Sequence, residues 1–176
     1  NLYGFFNLKN NCFQSTLTYE FQKDKPVEFY TNGRTFKLLK KNEQALMDEN
    51  GSLIINYGTC EETGFFTDGL IRLKRKGKYG YLDKKLAQVI PFKWDEATDF
   101  SNGNAIVKTK DTYAVIDTQG LEIFSSPAPI EKLSKNYFVT TTSPQSLITS
   151  SGAVLHEDVA AIQRINNQLL VITLSN

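Results

Sequence analysis

The sequence has few side chains suited to metal binding or redox chemistry: it contains one histidine, His156, and two cysteines, Cys12 and Cys60. The cysteines form no CxxC pair, and a single histidine does not complete a Cys and His zinc site without several carboxylates. We therefore expect no metal and no cofactor. For the cysteines we expect two buried free thiols, and a disulfide between them is the alternative if the protein is secreted.

Long apolar runs and an excess of one charge are also missing. The longest apolar runs have four or five residues, as at 169–172, so we predict a soluble chain without membrane insertion. Twenty Lys and Arg residues against nineteen Asp and Glu residues leave a formal net charge of +1. Nothing global attracts such a chain to nucleic acid, so nucleic-acid binding is not expected unless it is local.

Reactive constellations are absent from the sequence as well. It has no Gly-x-Ser-x-Gly elbow and no Gly-rich phosphate loop before a helix. The paired carboxylates Glu61-Glu62 and Asp95-Glu96 fall in linkers, and without an apolar pocket to raise one pKa they are expected to be solvated surface. His156 has no second histidine to work with and is predicted to be a partly buried strand residue. The sequence therefore predicts that the protein is not an enzyme.

What the sequence does contain is enough apolar residues for a core, and an internal repeat. Its 176 residues, of which 40% are hydrophobic and 12% aromatic, fit a single domain over residues 1–176. The start, which lacks Met and a signal-type segment, is typical of a trimmed domain or mature product and leaves the compartment open. A motif of an anchor residue, a small residue and two apolar residues recurs at spacings of 41, 35, 34 and 32 residues. Its anchors are Tyr3, Gln44, Tyr79, Tyr113 and Gln145.

Each copy carries a turn signature after the motif. Asn, Asp or Thr stands four positions after the anchor, at Asn7, Asp48, Asp83, Asp117 and Thr149. Gly follows three positions later in three copies, and the copy anchored at Tyr79 has Leu86 there. A side-chain acceptor at the first turn position binds backbone N–H groups two residues on, and Gly suits the turn exit. The small residue beside the anchor predicts close packing, which we assign to contacts between units.

Short apolar runs before and after each motif predict strands. In the clearest run, Ile71 and Leu73 alternate with Arg72 and Lys74, the pattern of a strand with one buried face. Each unit is therefore predicted to be a three-stranded antiparallel meander, and the linkers carry turn formers and aromatics. Only 157–164 has a pattern that could be helical. The predicted fold class is all-β, with about five tandem units.

The best-preserved stretch, 66–124, resembles the WG-containing β repeat, also described as the KWG repeat. That family's motif begins with Trp or Tyr, then Gly, an aromatic residue, an aliphatic residue and Asp. The matching residues are Lys78-Tyr79-Gly80-Tyr81-Leu82-Asp83, Val89-Ile90-Pro91, Trp94-Asp95, Phe100 and Gly103. The outer copies depart from the motif, with Gln44 and Gln145 in place of the aromatic anchor. The resemblance implies a bacterial protein whose repeats mediate contacts, including use as an immunity protein that caps a toxin.

The two ends of the sequence complement each other. The chain begins in a middle strand at Tyr3 and stops after a first strand at 169–174, so neither terminal unit is complete alone. Pairing these segments would complete five units of about 35 residues and close a propeller-like ring, because radial repetition leaves only short edges. An open, curved β-repeat array is the alternative.

One stretch is strongly basic and continues into Lys84 and Lys85. Solvated lysines that protect a strand edge are one interpretation, and a local patch for an acidic protein partner is the sharper one. Trp94 either packs between units or anchors an interface. The candidate partner-binding residues are Arg72, Lys74, Arg75, Lys76, Lys78, Trp94, Asp95 and Glu96.

These observations favour a non-catalytic protein-binding module. The alternative is a carbohydrate-binding, lectin-like propeller, which needs an aromatic residue and an Asp or Asn at the same exposed offset in every unit. The aromatic anchor is lost at Gln44 and Gln145. An enzyme such as a glycosidase would need two facing carboxylates in a cleft.

Overall fold

The computed structural model describes residues 50–164 and 170–174 and, before residue 50, the residues of seven strands. Every regular element among the described residues is a strand. These residues contain no helix that could cross a membrane. The first eight strands are β1 (Leu2–Tyr3), β2 (Phe6–Asn7), β3 (Cys12–Phe13), β4 (Tyr19–Glu20), β5 (Tyr30–Thr31), β6 (Thr35–Lys40), β7 (Glu43–Asp48) and β8 (Leu53–Ile55). The next eight are β9 (Glu62–Thr67), β10 (Leu70–Arg75), β11 (Lys78–Asp83), β12 (Gln88–Trp94), β13 (Glu96–Ala97), β14 (Asn104–Thr109), β15 (Thr112–Asp117) and β16 (Glu122–Ser126). The last five are β17 (Ile130–Lys132), β18 (Tyr137–Thr140), β19 (Gln145–Thr149), β20 (Val154–Arg164) and β21 (Leu170–Leu174).

Consecutive strands pair antiparallel, so one sheet follows another along the chain. The strands β5–β8, β9–β12 and β13–β16 form three four-stranded sheets, and β17–β21 form a five-stranded sheet. Two-residue pairings join β1 to β4 and β2 to β3. The prediction of an all-β fold built from tandem antiparallel meanders is therefore confirmed.

The predicted three-stranded unit is wrong, because the linkers contribute a fourth strand. In the second four-stranded sheet that strand is β9, which pairs with β10 from Leu70↔Thr67 to Lys74↔Glu62. The strands β13 and β17 hold the same place in their sheets. Residues of β9 do not alternate between buried and exposed, since Thr63 and Gly64 are both buried. Without that alternation, the sequence offered no period of two from which to predict the strand.

The segment 157–164 is strand rather than helix, because it belongs to the long strand β20. The first part of β20 pairs with β19, and residues 159–164 pair with β21. The β19–β20 pairing shifts register between Gln145 and Leu147, opposite Asp158 with its positive φ of 53°, and the β20–β21 pairing shifts between Val159 and Ala161. The last sheet therefore combines a four-stranded unit with the first hairpin of a further unit. His156, predicted to be partly buried, is exposed on this strand.

Ring closure stays a prediction. The strand β21 pairs with β20, and β1 pairs with β4. Among the strands that the structure describes, no pairing joins β21 to β1 or β2.

The predicted turn signature is confirmed in the described copies. Asp48 Oδ1 accepts hydrogen bonds from the backbone N–H groups of Asn50 and Ser52, at 2.9 and 2.8 Å. Asp83 and Asp117 accept equivalent pairs, and Thr149 Oγ1 accepts one bond from Ala153 N. Gly at the turn exit has a positive φ in three copies, of 83°, 82° and 87°. The carboxylate thus satisfies turn donors, and Gly supplies the left-handed backbone.

Leu86 occupies the same turn position with a φ of 62°. A left-handed conformation costs a side chain about 1 to 2 kcal/mol, and Gly loses about 0.5 to 1 kcal/mol in backbone entropy. We therefore expect Leu86→Gly to raise the free energy of unfolding by about 0.5 to 1 kcal/mol in urea denaturation. The matched control is Leu121→Gly, at an exposed turn residue without positive φ, which should lower it. A loss of stability in both variants would contradict this account of the turn.

The core lies between successive sheets. One cluster joins β9–β12 to β13–β16 and includes Tyr81, Trp94, Phe100 and Val107. The Tyr81 and Phe100 rings meet edge to face, with centroids 4.8 Å apart. A second cluster, with Leu46 and the strand β10 residues Ile71 and Leu73, joins β5–β8 to β9–β12, and a third joins β13–β16 to β17–β21. The inner sheets are therefore covered on both faces.

The small residue beside the anchor is explained at Gly80, where an added Cβ would lie 2.9 Å from Ile90 O and from the Phe92 ring. The predicted close approach is therefore real. It comes from β12 of the same sheet, however, and not from a neighbouring unit as predicted.

Cys60 is a buried free thiol whose Sγ lies 4.0 Å from Gln44 O. Burial raises its pKa to about 11, which keeps it protonated at neutral pH. The expected free thiol is confirmed for Cys60, whereas the side chain of Cys12 lies outside the described residues.

Candidate functional site

The predicted partner-binding residues lie on two neighbouring segments of adjacent sheets. Arg72, Lys74 and Arg75 are on β10, and Lys78 is on β11. Lys76 forms the tight turn between these strands with Gly77, and both have positive φ. Trp94 ends β12, Asp95 follows it, and Glu96 begins β13. The structure therefore brings the basic run and the acidic pair together where one sheet passes to the next.

Arg72 is the centre of a half-buried ionic network between the two sheets. Its Nη1 lies 2.9 Å from Glu62 Oε1, and its Nε lies 2.8 Å from Asp99 Oδ1. Nη1 also donates to Ala97 O at 3.0 Å. Burial alone would lower the pKa of Arg72, but the hydrogen bond and charge of Asp99, with Glu62, raise it. The guanidinium joins β9 and β10 to the start of the next sheet.

Tyr79 extends this network through its hydroxyl, which donates to Glu62 Oε2 at 2.6 Å. The Arg72 and Lys74 cations lie over its ring, 5.1 and 5.2 Å from the centroid. Burial and the bond to Glu62 raise its pKa to about 12, so the phenol stays neutral at physiological pH. Two of the predicted surface cations are thus held against an anchor ring.

The acidic pair is also bound within the chain. Asp95 Oδ1 accepts a 2.5 Å hydrogen bond from Lys78 Nζ, and Oδ2 accepts one from Lys110 N at 2.8 Å. Glu96 Oε1 lies 2.9 Å from Lys108 Nζ. The bond from Lys78 lowers the pKa of Asp95, and the bond to Glu96 raises that of Lys108. Asp95 therefore remains ionised, and both carboxylates serve as structural acceptors.

A substitution of Lys78 should show the electrostatic link to Asp95. In Lys78→Met we expect the pKa of Asp95, followed by carboxyl ¹³C NMR, to rise towards its ordinary value. A depressed pKa contributes stability above the unfolded-state value, and this stability is lost as pH falls through the folded-state pKa. The two proteins should thus differ in stability at neutral pH and converge in acid. Lys76→Met, in the exposed turn, is the control, and an unchanged Asp95 pKa in Lys78→Met would contradict the link.

The remaining candidates differ in exposure. Arg75 donates to Thr59 O at 3.1 Å and lies over the Phe92 ring, whereas Lys76 is exposed in its turn. Trp94 is 8% exposed and belongs to the core between the sheets, with Lys93 Nζ 4.4 Å from its ring centroid. Its burial fits packing between units and leaves little surface for anchoring a partner.

The sequence interpretation missed two kinds of residue. Asp99 does not stand out in the sequence, yet its carboxylate binds Arg72 and accepts a bond from Phe65 N at 3.3 Å. Gln44 and Gln145 looked like lost anchors, but their Oε1 atoms accept bonds from Thr63 N and Ile162 N, at 2.9 and 2.8 Å. The sequence did contain a signal for this hydrogen-bonding role, because Gln stands at the anchor position of two copies.

Two stretches of the chain, residues 46–79 and 79–113, match the model of a family described as WG containing repeat. They run from β7 into β15 and include the turn carboxylates Asp48 and Asp83 and the Arg72 network. No curated protein matches the chain in sequence.

Solved structures resemble the chain in fold. One, described as KlHsv2 with loop 6CD replaced by a Gly-Ser linker, has a TM-score of 0.53 at 11% identity over 72% of this chain and 50% of its own. Another, described as the eukaryotic initiation factor, has a TM-score of 0.53 at 12% identity over 94% of this chain and 53% of its own. The chain therefore spans about half the length of both. At such identity the likeness concerns the fold alone, which is propeller-like.

Proposed function

We propose that this chain is a non-catalytic, protein-binding repeat module, because residues 46–79 and 79–113 match the WG containing repeat. Repeat scaffolds hold their core between units and offer turns and linkers to partners. The observation that carries the proposal is that the charged groups near the Arg72 network serve packing between sheets, while exposed aliphatic and basic residues remain on the outer turns.

The state of the carboxylates supports a non-catalytic role. Catalytic acids usually sit in apolar pockets that raise their pKa. Here Glu62 is bound by Arg72 and Tyr79, and Asp95 by Lys78, and the pKa of Asp95 is lowered rather than raised. Glu61 accepts hydrogen bonds from Gly77 N. Each paired carboxylate predicted from the sequence thus has a structural partner.

The narrower form of the proposal is a toxin-neutralising immunity protein of a bacterium, as the repeat resemblance implies. Affinity capture of a tagged chain from its source, followed by mass spectrometry and size-exclusion chromatography, tests both forms. We expect one protein to co-purify at a fixed stoichiometry, and for the narrower form that protein is toxic when expressed alone. No protein partner, together with a positive glycan array, would contradict the module.

The carbohydrate alternative lacks support at the anchor positions. Sugar binding on a radial fold needs aromatic rings that are free to stack. Tyr79 is 9% exposed and held by Glu62, and Tyr113 is half-buried beneath Lys108, whose Nζ lies 4.9 Å from the ring centroid. Gln occupies the anchor in two further copies. We therefore keep protein binding as the proposal.

We also propose that the last hairpin and the first one form a single unit that closes a ring. Residues 159–164 of β20 and β21 correspond to the first two strands of a unit, and β2 with β3 corresponds to its last two. Val154, Leu155, Val171 and Leu174 are exposed in the last sheet. An aliphatic edge strand without charge or Pro, such as β21, normally needs a cover. The first hairpin would provide that cover.

A further inference from the structure

Three exposed aliphatic residues lie on the outer side of two neighbouring sheets. Leu86 and Val89, at the turn into β12, are each 40% exposed, and Leu121, at the turn into β16, is 65% exposed. Together with Lys84 and Lys85 they form what we call the outer patch. Isolated exposed leucines need no explanation, but neighbouring ones between charges are typical of contact surfaces.

The turn before Leu121 packs against strand β12, the strand that follows the turn carrying Leu86. Gly120 has a φ of 82°, and an added Cβ would lie 3.1 and 3.2 Å from Ile90 Cγ1 and Cγ2. The second turn therefore rests on strand β12. Because Val89 precedes Ile90 and Leu121 follows Gly120, these two exposed residues come from neighbouring segments of the two sheets.

The charge of the outer patch is mainly basic. Lys84 and Lys85 are exposed, and neither forms an ion pair among the described residues. Asp83 and Asp117 direct an Oδ1 into their own turns, and Glu122 is the exposed carboxylate beside Leu121. The basic run 72–78, by contrast, is largely engaged with β9 and the Asp95 segment.

We propose that the outer patch binds an acidic segment of a protein partner that presents aliphatic side chains between carboxylates. Carboxylates would pair with Lys84 and Lys85, and the aliphatic groups would pack on Leu86, Val89 and Leu121. Side chains rather than strand addition provide the contact, since Pro91 in β12 has no N–H for a new strand. The inference rests on the proposed protein-binding function and assigns its surface and partner chemistry.

The probe is a synthetic nine-residue peptide that has Leu at its third and sixth positions and Glu at all others. Isothermal titration calorimetry with the full chain should give saturable binding that weakens with salt. The double variant Lys84→Glu/Lys85→Glu and the double variant Leu86→Ser/Leu121→Ser should each weaken binding at least about tenfold. A peptide with Ser in place of Leu, and one with Lys in place of Glu, should bind at least about tenfold more weakly than the probe.

The control variant is Lys135→Glu/Tyr137→Ser, which changes an exposed lysine and a large hydrophobic residue on another sheet and should leave binding unchanged. Circular dichroism confirms that each variant is folded. The inference would be overturned if the probe does not bind saturably, or if the variants bind it as tightly as the unchanged chain. It would also be overturned if the chain binds a 20-nucleotide single strand more tightly than the probe. If affinity capture returns the same protein with wild type and with Lys84→Glu/Lys85→Glu, protein binding stands and the outer patch is the wrong surface.

Discussion

Replacing Arg72 with Met is expected to lower the free energy of unfolding by about 3 kcal/mol, because it leaves Glu62 and Asp99 half-buried without their cation. Removing one partner of a buried ion pair costs about 3 to 5 kcal/mol. The lower end applies here, since the two carboxylate side chains keep 32% and 30% exposure. The lost bond to Ala97 O should add to the effect. Urea denaturation followed by circular dichroism measures the change.

The matched control comes from the same basic run. Lys76→Met removes an exposed cation from the turn, and we expect a change within about 0.5 kcal/mol. If Arg72→Met were as mild as Lys76→Met, the ionic network would not hold the sheets together. Arg72 would then revert to the surface role that the sequence suggested.

Phe100→Ala is expected to cost about 3 to 5 kcal/mol, the range for removing a fully buried aromatic ring. Phe100 is 2% exposed and packs edge to face against Tyr81 in the core between β9–β12 and β13–β16. Its removal leaves a cavity between two units instead of within one. Thermal and urea unfolding should show one cooperative transition at lower stability.

The control for this prediction is Leu121→Ala, which shortens a large side chain that is 65% exposed. Its effect should stay within about 0.5 kcal/mol. A small effect of Phe100→Ala would contradict the conclusion that the linker aromatic joins neighbouring units.

Local chemistry was predictable from the sequence, because it depends on residues close together in the chain. Asp83 and Asp117 bind their own turns as predicted, and Gly120 exits its turn with positive φ. The antiparallel meanders were also predictable, because each copy of the repeated motif places its strands close together in the chain. The strand β9 was missed because strand pairing needs backbone groups, whereas the prediction used alternating side chains.

The alternation of Ile71 and Leu73 with Arg72 predicts a strand with one buried face, and the structure differs at Arg72. The sheets follow one another in a row, so each inner sheet packs one face against the preceding unit and its other face against the next unit. Charged side chains on that face must then find partners, and Arg72 does so in Glu62 and Asp99. Glu62 lies in β9 and Asp99 in the linker after β13, at distances along the chain that no local pattern reveals.

The most direct test of the proposed ring is hydrogen exchange at the backbone amides of β21 in the full chain. If the first hairpin covers β21, both edges of this strand are hydrogen-bonded. Its amides should then be protected to within about tenfold of those of β14, an interior strand. In an open array the outward amides of β21 would exchange at least about a hundredfold faster than those of β14, and that result would contradict the ring.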